Sequence, residues 1–559
     1  MSIPFRCSSH LMSSMAAKSR SLSRLAFRQS STYIAAIDQG TSSSRVILYD
    51  SETLTPVASH QETLASATSA PHPGWSQMNP TLLLKSVETC KEMALSQLQL
   101  HVSGVTSSSI SGIGITNQRE SVVVWDKHTG EALTDVILWH DTRTRETVHN
   151  LTESLGGPDA LRSITGLPLS TYFSGVKLRW VMDNVPPARK AIEEGRALVG
   201  TVDSFLTWHL TGGERHVIDV TNASRTLMMD IHKGSWSDDA INALDLDMLR
   251  DNGCLPEIVS CASSDGFGVV KSGAMEGVRI TGVIGDQQSA MVGQRCFEPG
   301  MAKTTYGTGA FALMNTEKVA FPSKAKLLTT ALYSEPGPLK EHHITYALEG
   351  AVGSCANGIN WFRDNLGMID SPAEISELAH IADEKHGGTE GLYFVSAFGG
   401  LLAPYWRDDA RGTLVGLTLA HDKSHIALAV LEGVAFQVRA VLDSMVADTD
   451  GAHSLAQMRV DGGVSMSRPL LQAQADLLGV TVARPKNVET TALGAAIVAG
   501  AGSGIWDRYE DSPRGLLNDG DDDDLDEIFL PKINEKEREE KWASWEQAVE
   551  SSLGWAGRK

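Results

Sequence analysis

The chain has 559 residues, a formal net charge of −20, and 42% apolar and 21% charged residues. It is too long for one comfortable hydrophobic core, so at least two large domains are expected. No stretch approaches the ~18 uninterrupted apolar residues of a membrane span, and the acidic balance argues against duplex nucleic acid as a partner, because a polyphosphate backbone is bound by clustered Lys and Arg. Cys7, Cys90, Cys254, Cys261, Cys296 and Cys355 lie far apart, without zinc-site spacing or the density of a disulfide scaffold, and fit a reducing interior.

In chain order, residues 1–32 form a regime of their own. Arg6, Lys18, Arg20, Arg24 and Arg28 stand among many serines, and the first acidic residue is Asp38. On a helix Arg20, Arg24 and Arg28 share one face and Leu11, Met15, Leu22 and Leu25 the other, with Lys18 on the apolar side. This is the composition of a mitochondrial transit peptide. The alternative is a disordered extension, or a true start at Met12 or Met15, which leaves the protein cytoplasmic.

From Tyr33 the pattern turns globular. Ile34–Ile37, the segment Asp38 to Ser44 and Arg45–Tyr49 read as a β-hairpin with a glycine-bearing, hydroxyl-rich turn. A strand-like run at Ser121–Trp125 mixes with helical stretches to give an α/β first half, and Pro71–Gly74 reads as a surface loop. Residues 282–294 read as a Gly-rich link. Lys303–Phe311 then repeats the strand, Gly/Thr turn, strand plan of residues 34–49, so the two halves are expected to share one design. The spacing of Ala427, Val430, Leu431, Val434, Val438, Val441, Leu442 and Met445 predicts a helix over 427–445. Asp521–Asp524 reads as a solvated loop.

The chemistry-bearing turns are Asp38-Gln39-Gly40-Thr41-Ser42-Ser43-Ser44-Arg45 and Gly307-Thr308-Gly309. Gly40 lets a phosphate approach closely, the following N–H and hydroxyl groups donate to its oxygens, and Arg45 offsets developing charge. Each turn alone reads more readily as a structural hairpin or tight turn. Together they supply donors from two lobes, as phosphoryl transfer requires.

Over Tyr33–Trp555 the chain resembles the FGGY carbohydrate kinase family, and within it the members that phosphorylate glycerol. The resemblance rests on Ile37–Arg45, Ile115-Thr116-Asn117-Gln118-Arg119-Glu120, Tyr172–Trp180, Gly285-Asp286-Gln287-Gln288, Thr305-Tyr306-Gly307-Thr308-Gly309, Ala403-Pro404-Tyr405-Trp406, Asp408–Gly412 and Glu489–Ala496. It implies an α/β fold of two actin-like ATPase (ribonuclease H-like) lobes flanking a nucleotide and substrate cleft. The implied domains are a leader at 1–32, an N-terminal kinase lobe at 33–294, a C-terminal kinase lobe at 295–505, and an acidic loop with a helical tail at 506–559.

The same resemblance implies the activity: transfer of the γ-phosphoryl group of ATP to glycerol with Mg²⁺, in a homo-oligomer. Asp286 matches the general base, and Asp38, with Asp286, the carboxylates near Mg²⁺; a modest base suffices because the hydroxyl turns acidic only as it bonds to phosphorus. Arg119, Glu120, Tyr172, Asp286 and Gln287 match the glycerol-binding set, with Trp139 and Phe311 packing on its carbons. Thr41, Ser42, Ser43 and Arg45 match the phosphate-holding residues of one lobe, and Thr308 and Gly309 those of the other. Against these roles stand a helix N-cap for Asp286, a surface ion pair for Arg119 and Glu120, and ordinary core for the two rings.

The departures lie mainly around the nucleotide. Gly463 is retained, but Val464-Ser465-Met466-Ser467-Arg468 follows where the family has small residues and an Asn at the adenine, which places Ser467 there. Ala356 and Asn360 stand where a Gly and a Gln are usual; His140-Asp141 follows Trp139 in place of Gln, and Ser76–Asn79 replaces a more acidic run. The competing readings are another FGGY polyol or ketose kinase and a catalytically weak nucleotide-binding paralogue.

Overall fold

In the computed structural model, which describes residues 32–487, 489–513 and 527–557, the first strands form where short apolar runs meet hydroxyl- and glycine-bearing turns. The basic leader through residue 31 and the Asp521–Asp524 run lie outside the described residues. β1 (Tyr33–Gln39) and β2 (Ser43–Asp50) make the expected hairpin, with Gly40 N–H donating to the Ser43 carbonyl across the turn. β3 (Pro56–Thr63) lies antiparallel to β2. Helix α1 (Pro80–His101) begins at Asn79, whose side chain accepts from Leu82 N–H, with Pro80 pre-set at the first helical position. It buries Leu83, Val87, Ala94 and Leu98 in one core with Ile37, Val46 and Leu48 of the hairpin. β4 (Ile110–Asn117) runs parallel to β1. After β5 (Val122–Asp126), α2 (Ser174–Asn184) and the short α3 (Val220–Ala223), β6 (Ile280–Gly285) adds parallel to β4 and feeds α4 (Asp286–Gly293).

The second half repeats this plan. β7 (Met301–Tyr306) and β8 (Ala310–Asn315) form a hairpin, and after β9 (Leu328–Ser334) comes β10 (Ile344–Val352), antiparallel to β8. Helices α5 (Ala356–Asn360) and α6 (Lys423–Asp448) precede β11 (Gln457–Asp461), parallel to β7. Then come α7 (Arg468–Leu478), β12 (Val482–Arg484) parallel to β11, and α8 (Thr490–Gly502). Strand order is β6-β4-β1-β2-β3 in the first sheet and β9-β10-β8-β7-β11-β12-β13 in the second, where β13 (Glu527–Phe529) closes the edge. The run β3-β2-β1-β4-β6 and the run β10-β8-β7-β11-β12 agree in order and direction. The duplication expected from two similar turns is thus a duplication of whole five-stranded units, and the fold is the two-lobed α/β architecture that the sequence implies.

Two expectations are revised. The helix predicted over 427–445 runs from Lys423 to Asp448, because Asp422 caps it by accepting from Ser424 and His425 N–H. It is long and apolar enough to cross a membrane, yet almost all of it is buried in the second lobe's core. There Phe436 stacks on Trp545 of α9 (Glu535–Ser551), with ring centroids 4.9 Å apart. Residues 282–294 are not a link: they are the end of β6 and the whole of α4. Their small side chains serve close packing, and turning the chain is not their task.

That packing joins the lobes. Helix α8 follows the second sheet in sequence but lies against β1, β4, β6 and α4 of the first lobe, so that Ala495, Val498 and Ile497 share a core with Ile34, Ala36 and Ile284. Where α4 and α8 touch, a Cβ on Gly293 would overlap the Thr490 carbonyl oxygen, and one on Gly494 the Ser289 carbonyl oxygen. Alanine ordinarily favours a helix over glycine by about 1 kcal/mol. Gly494→Ala is nevertheless expected to lower stability by about 1–3 kcal/mol, the usual range for overpacking, measured as a fall in the urea or thermal unfolding midpoint; an unchanged or raised midpoint would show that the helices separate freely.

Candidate active site

Asn117 ends β4 and Gln118-Arg119-Glu120 follow in the loop to β5, where neutral amides fix the start of the loop. Asn117 and Asn222 exchange side-chain hydrogen bonds of 3.0 Å in both directions, and Gln118 Nε2 donates to Gln39 Oε1 (3.1 Å) and the Gly40 carbonyl (3.2 Å). Glu120 is left-handed, at φ 60°. A non-glycine residue there costs of order 1–3 kcal/mol and persists only where the surroundings impose it. Here its carbonyl accepts from Ser174 Oγ (3.2 Å) and Lys177 Nζ (3.4 Å), and Lys177 also donates to the Tyr172 carbonyl. Lys177 is fully buried, and burial pushes its ammonium down to about 7, against the partial pull of Glu120 and Asp141.

The side chains of this loop enter a buried ion network. Glu349, on β10 of the other lobe, accepts from Arg119 through both oxygens, at 2.8 and 3.0 Å, and from Arg225 Nη2 at 3.2 Å. Arg225 also donates to Glu120 Oε1 at 2.6 Å. Burial works against ionisation of Glu349, but the guanidiniums of Arg119 and Arg225 outweigh it and hold its carboxyl down at about 2. Arg119 and Glu120 are therefore not a surface pair; both are almost wholly buried.

Asp286 is the first residue of α4; Gly285 holds the N-cap position, so the helix-cap reading of Asp286 fails. Its Oδ1 accepts from Gln287 N–H at 2.7 Å and lies 3.2 Å from Arg119 Nε. Among the described residues Oδ2 has no partner. The side chain stays 33% exposed, while burial among its neighbours raises the carboxyl above the usual range, Arg119 pulling down and Glu120 pushing up. The side chain of Asp38, near the end of β1, makes no hydrogen bond or ion pair among the described residues; burial raises its carboxyl to about 6, with Arg45 opposing and Asp286 adding to the rise.

Aromatic rings wall the space in front of these groups. Trp139 meets Tyr172 edge-on at 5.6 Å and Phe311 at 6.5 Å between centroids, and its Nε1 donates to Thr41 Oγ1 at 3.0 Å. Gln287 Oε1 accepts from Lys303 Nζ (3.0 Å) and lies 3.4 Å from Thr305 Oγ1, both on β7. The substrate-side residues expected from sequence, Arg119, Glu120, Trp139, Tyr172, Asp286, Gln287 and Phe311, therefore gather in one place between the lobes.

The phosphate-side residues gather less completely. Thr41, Ser42 and Ser43 form the turn beside Trp139, with Ser42 exposed. The turn Gly307-Thr308-Gly309 faces α5, whose Ala356 N–H donates to the Gly307 and Thr308 carbonyls at 3.2 Å. Gly462 (φ 88°) abuts the Tyr306 carbonyl and leads into exposed Gly463, so Thr308, Gly309, Ala356 and Gly463 cluster at the ends of β7 and β11. Asn360 ends α5, and the Ser467 hydroxyl accepts from Ser376 Oγ at 2.8 Å. Arg468 pairs with Glu527 on β13. Arg45 is already engaged by Glu489, at the start of α8, and by Gln61.

Sequence reasoning missed Glu349, Arg225, Lys303 and Lys177. Glu349 is the lone acid in the apolar strand Ile344–Val352, and that isolation was the available signal.

Residues 33–293 match the FGGY family of carbohydrate kinases, N-terminal domain, and residues 302–503 match its C-terminal domain. A glycerol kinase of Brucella anthropi is 43% identical over 526 residues, covering 94% of this chain and 99% of the relative. A glycerol kinase of Chloroflexus aggregans is 42% identical with the same coverage. The crystal structure of Plasmodium falciparum glycerol kinase with ADP superposes with a TM-score of 0.85 at 37% identity, covering 94% of this chain and 98% of that one. A ligand-bound xylulose kinase of Lactobacillus acidophilus, at 20% identity and a TM-score of 0.76, shares the fold.

Removing one member of a buried ion network strands its partners. Glu349→Gln is expected to cost about 3–5 kcal/mol of stability at pH 7. Because the folded-state pKa lies below the unfolded one, this contribution is complete above about 4.5 and fades as pH falls toward about 2. Urea unfolding of both proteins from pH 7 to pH 3 should show the gap narrowing; a gap independent of pH would mean that Glu349 is not charged in the folded protein.

Proposed function

The chain belongs to the FGGY family of carbohydrate kinases, and from that premise we propose that it transfers the γ-phosphoryl group of ATP to a primary hydroxyl of glycerol, giving sn-glycerol 3-phosphate and ADP. The observation that carries this reading is the setting of Asp286. One of its oxygens is held by Arg119 and Gln287, and the other is free to take a proton, on the side of the cleft where Trp139, Tyr172 and Phe311 meet. As the glycerol oxygen bonds to phosphorus its proton passes to Asp286, and the bond from γ-phosphorus to the bridging oxygen breaks with ADP as leaving group. Arg119 and Glu120 hold the triol in one orientation and the three rings pack on its carbons, while the choice of glycerol over a longer sugar follows the family resemblance at Asn117-Gln118-Arg119-Glu120 and Trp139.

Thr41, Ser42 and Ser43 serve the phosphates from one lobe, and Thr308 and Gly309 from the other. Arg45 joins them once it releases Glu489. Ala356, Asn360, Gly463 and Ser467 lie toward the nucleotide base in this reading. Asp38 and Asp286 repel each other electrostatically, and two such carboxylates with water suit Mg²⁺, which takes few protein ligands beside nucleotide phosphates. When bound, Mg²⁺ neutralises phosphate charge. Lobe closure excludes water and so protects ATP from hydrolysis.

The test is glycerol-dependent ADP release by the purified chain, beside Asp286→Asn. Turnover should fall by about 10²–10⁴ in the variant while nucleotide binding persists. Turnover on xylulose or ribulose but not glycerol would reassign the substrate, and nucleotide binding without turnover on any polyol would overturn the kinase reading.

The basic, serine-rich residues 1–32 support a mitochondrial address. A fluorescent fusion of residues 1–35 should then co-localise with mitochondria; diffuse cytosolic fluorescence would place the enzyme in the cytoplasm.

A further inference from the structure

Histidines and carboxylates converge at a place formed by the end of the helix Glu374–His386, the loop carrying Glu390, and the N-terminus of α6. We propose that His386, Asp422 and His425 form a binding site for a borderline divalent transition-metal ion of the zinc class. One nitrogen of each imidazole and one carboxylate oxygen of Asp422 lie within 4.8 Å of one another. Tetrahedral bonds of about 2.0–2.2 Å set neighbouring ligand atoms about 3.3–3.5 Å apart. His386 is exposed and can rotate to close the difference, while the helix cap holds Asp422 in place.

His425 is the fixed member. Its ring is fully buried and its Nε2 has no hydrogen-bond partner, a costly position for a polar atom unless something satisfies it. Carboxylates flank both ring nitrogens: Asp422 Oδ1 is 3.0 Å from Nδ1, and Glu390 Oε2 is 3.9 Å from Nε2. With the ion on Nδ1, on the side of the Asp422 carboxylate, Nε2 keeps its proton facing Glu390, the arrangement that orients ligating imidazoles and raises their basicity. The ring of His386 lies 4.4 Å from that of His425 between centroids, and the ring of His421, whose Nε2 is also buried without a partner, lies 5.2 Å away. A helix cap accounts for Asp422 and His425, which close a capping box. It accounts for none of His386, Glu390 or His421 around the same ring. Imidazole and carboxylate donors together favour Zn²⁺, Cu²⁺ or Ni²⁺ over Mg²⁺ or Ca²⁺.

The experiment titrates the full chain with Zn²⁺ in competition with a chromogenic chelator, alongside His386→Ala, Glu390→Gln and His425→Gln. Wild type should hold one equivalent that His386→Ala binds at least about tenfold more weakly, with a smaller loss in Glu390→Gln. His386 is exposed, so its variant carries the test even where His425→Gln folds poorly. Identical isotherms for wild type and His386→Ala, or no Zn²⁺ retained by wild type against the chelator, would overturn the proposal.

Discussion

The carboxylate of Glu349, held between the guanidiniums of Arg119 and Arg225, is the contact on which the cleft depends. Charges taken out of water must be paired or they destabilise the fold. This pairing draws on three separate pieces of chain: the β4–β5 loop, the turn after α3, and strand β10 of the opposite lobe. Satisfying it brings the two lobes into register at one point. It also leaves Arg119 with Nε to offer Asp286, so the group that stabilises the lobe contact and the group that orients the proposed base are one side chain.

A second, looser connection lies near the turn Thr41–Ser43, where Arg45 reaches Glu489 at the head of α8. The two differ in burial. The Glu349 network is closed to water, whereas the Arg45–Glu489 pair is partly exposed, screened and correspondingly weak. Beside the core that α8 shares with the first lobe, the two halves are thus joined by one ion network closed to water and one pair open to it.

Local features of the sequence were legible because local physics decides them. The glycine- and hydroxyl-bearing turns, the periodicity of α6 and the duplicated hairpin are each contained in fewer than thirty consecutive residues. The position of Asp286 was legible through the resemblance carried by Gly285–Gln288, but its Arg119 neighbour was legible only as a motif and not as a contact. What escaped was long-range pairing. Glu349 stands 230 residues from Arg119 and 124 from Arg225, and Arg45 stands 444 residues from the carboxylate that occupies it. No spacing rule spans such distances. The segment 282–294 misled for a different reason: glycine there permits backbones to touch, and from sequence that use is indistinguishable from a turn.

The crossing of α8 has a consequence for how the protein is made. The apolar face formed by Ile34, Ala36 and Ile284 is covered by a helix that begins at Thr490. A ribosome releases the first sheet some two hundred residues before it releases that cover. At roughly 5–20 residues per second, the nascent first lobe waits of order ten seconds or more with its face open to water. The core of the first lobe is therefore completed by residues made near the end of synthesis.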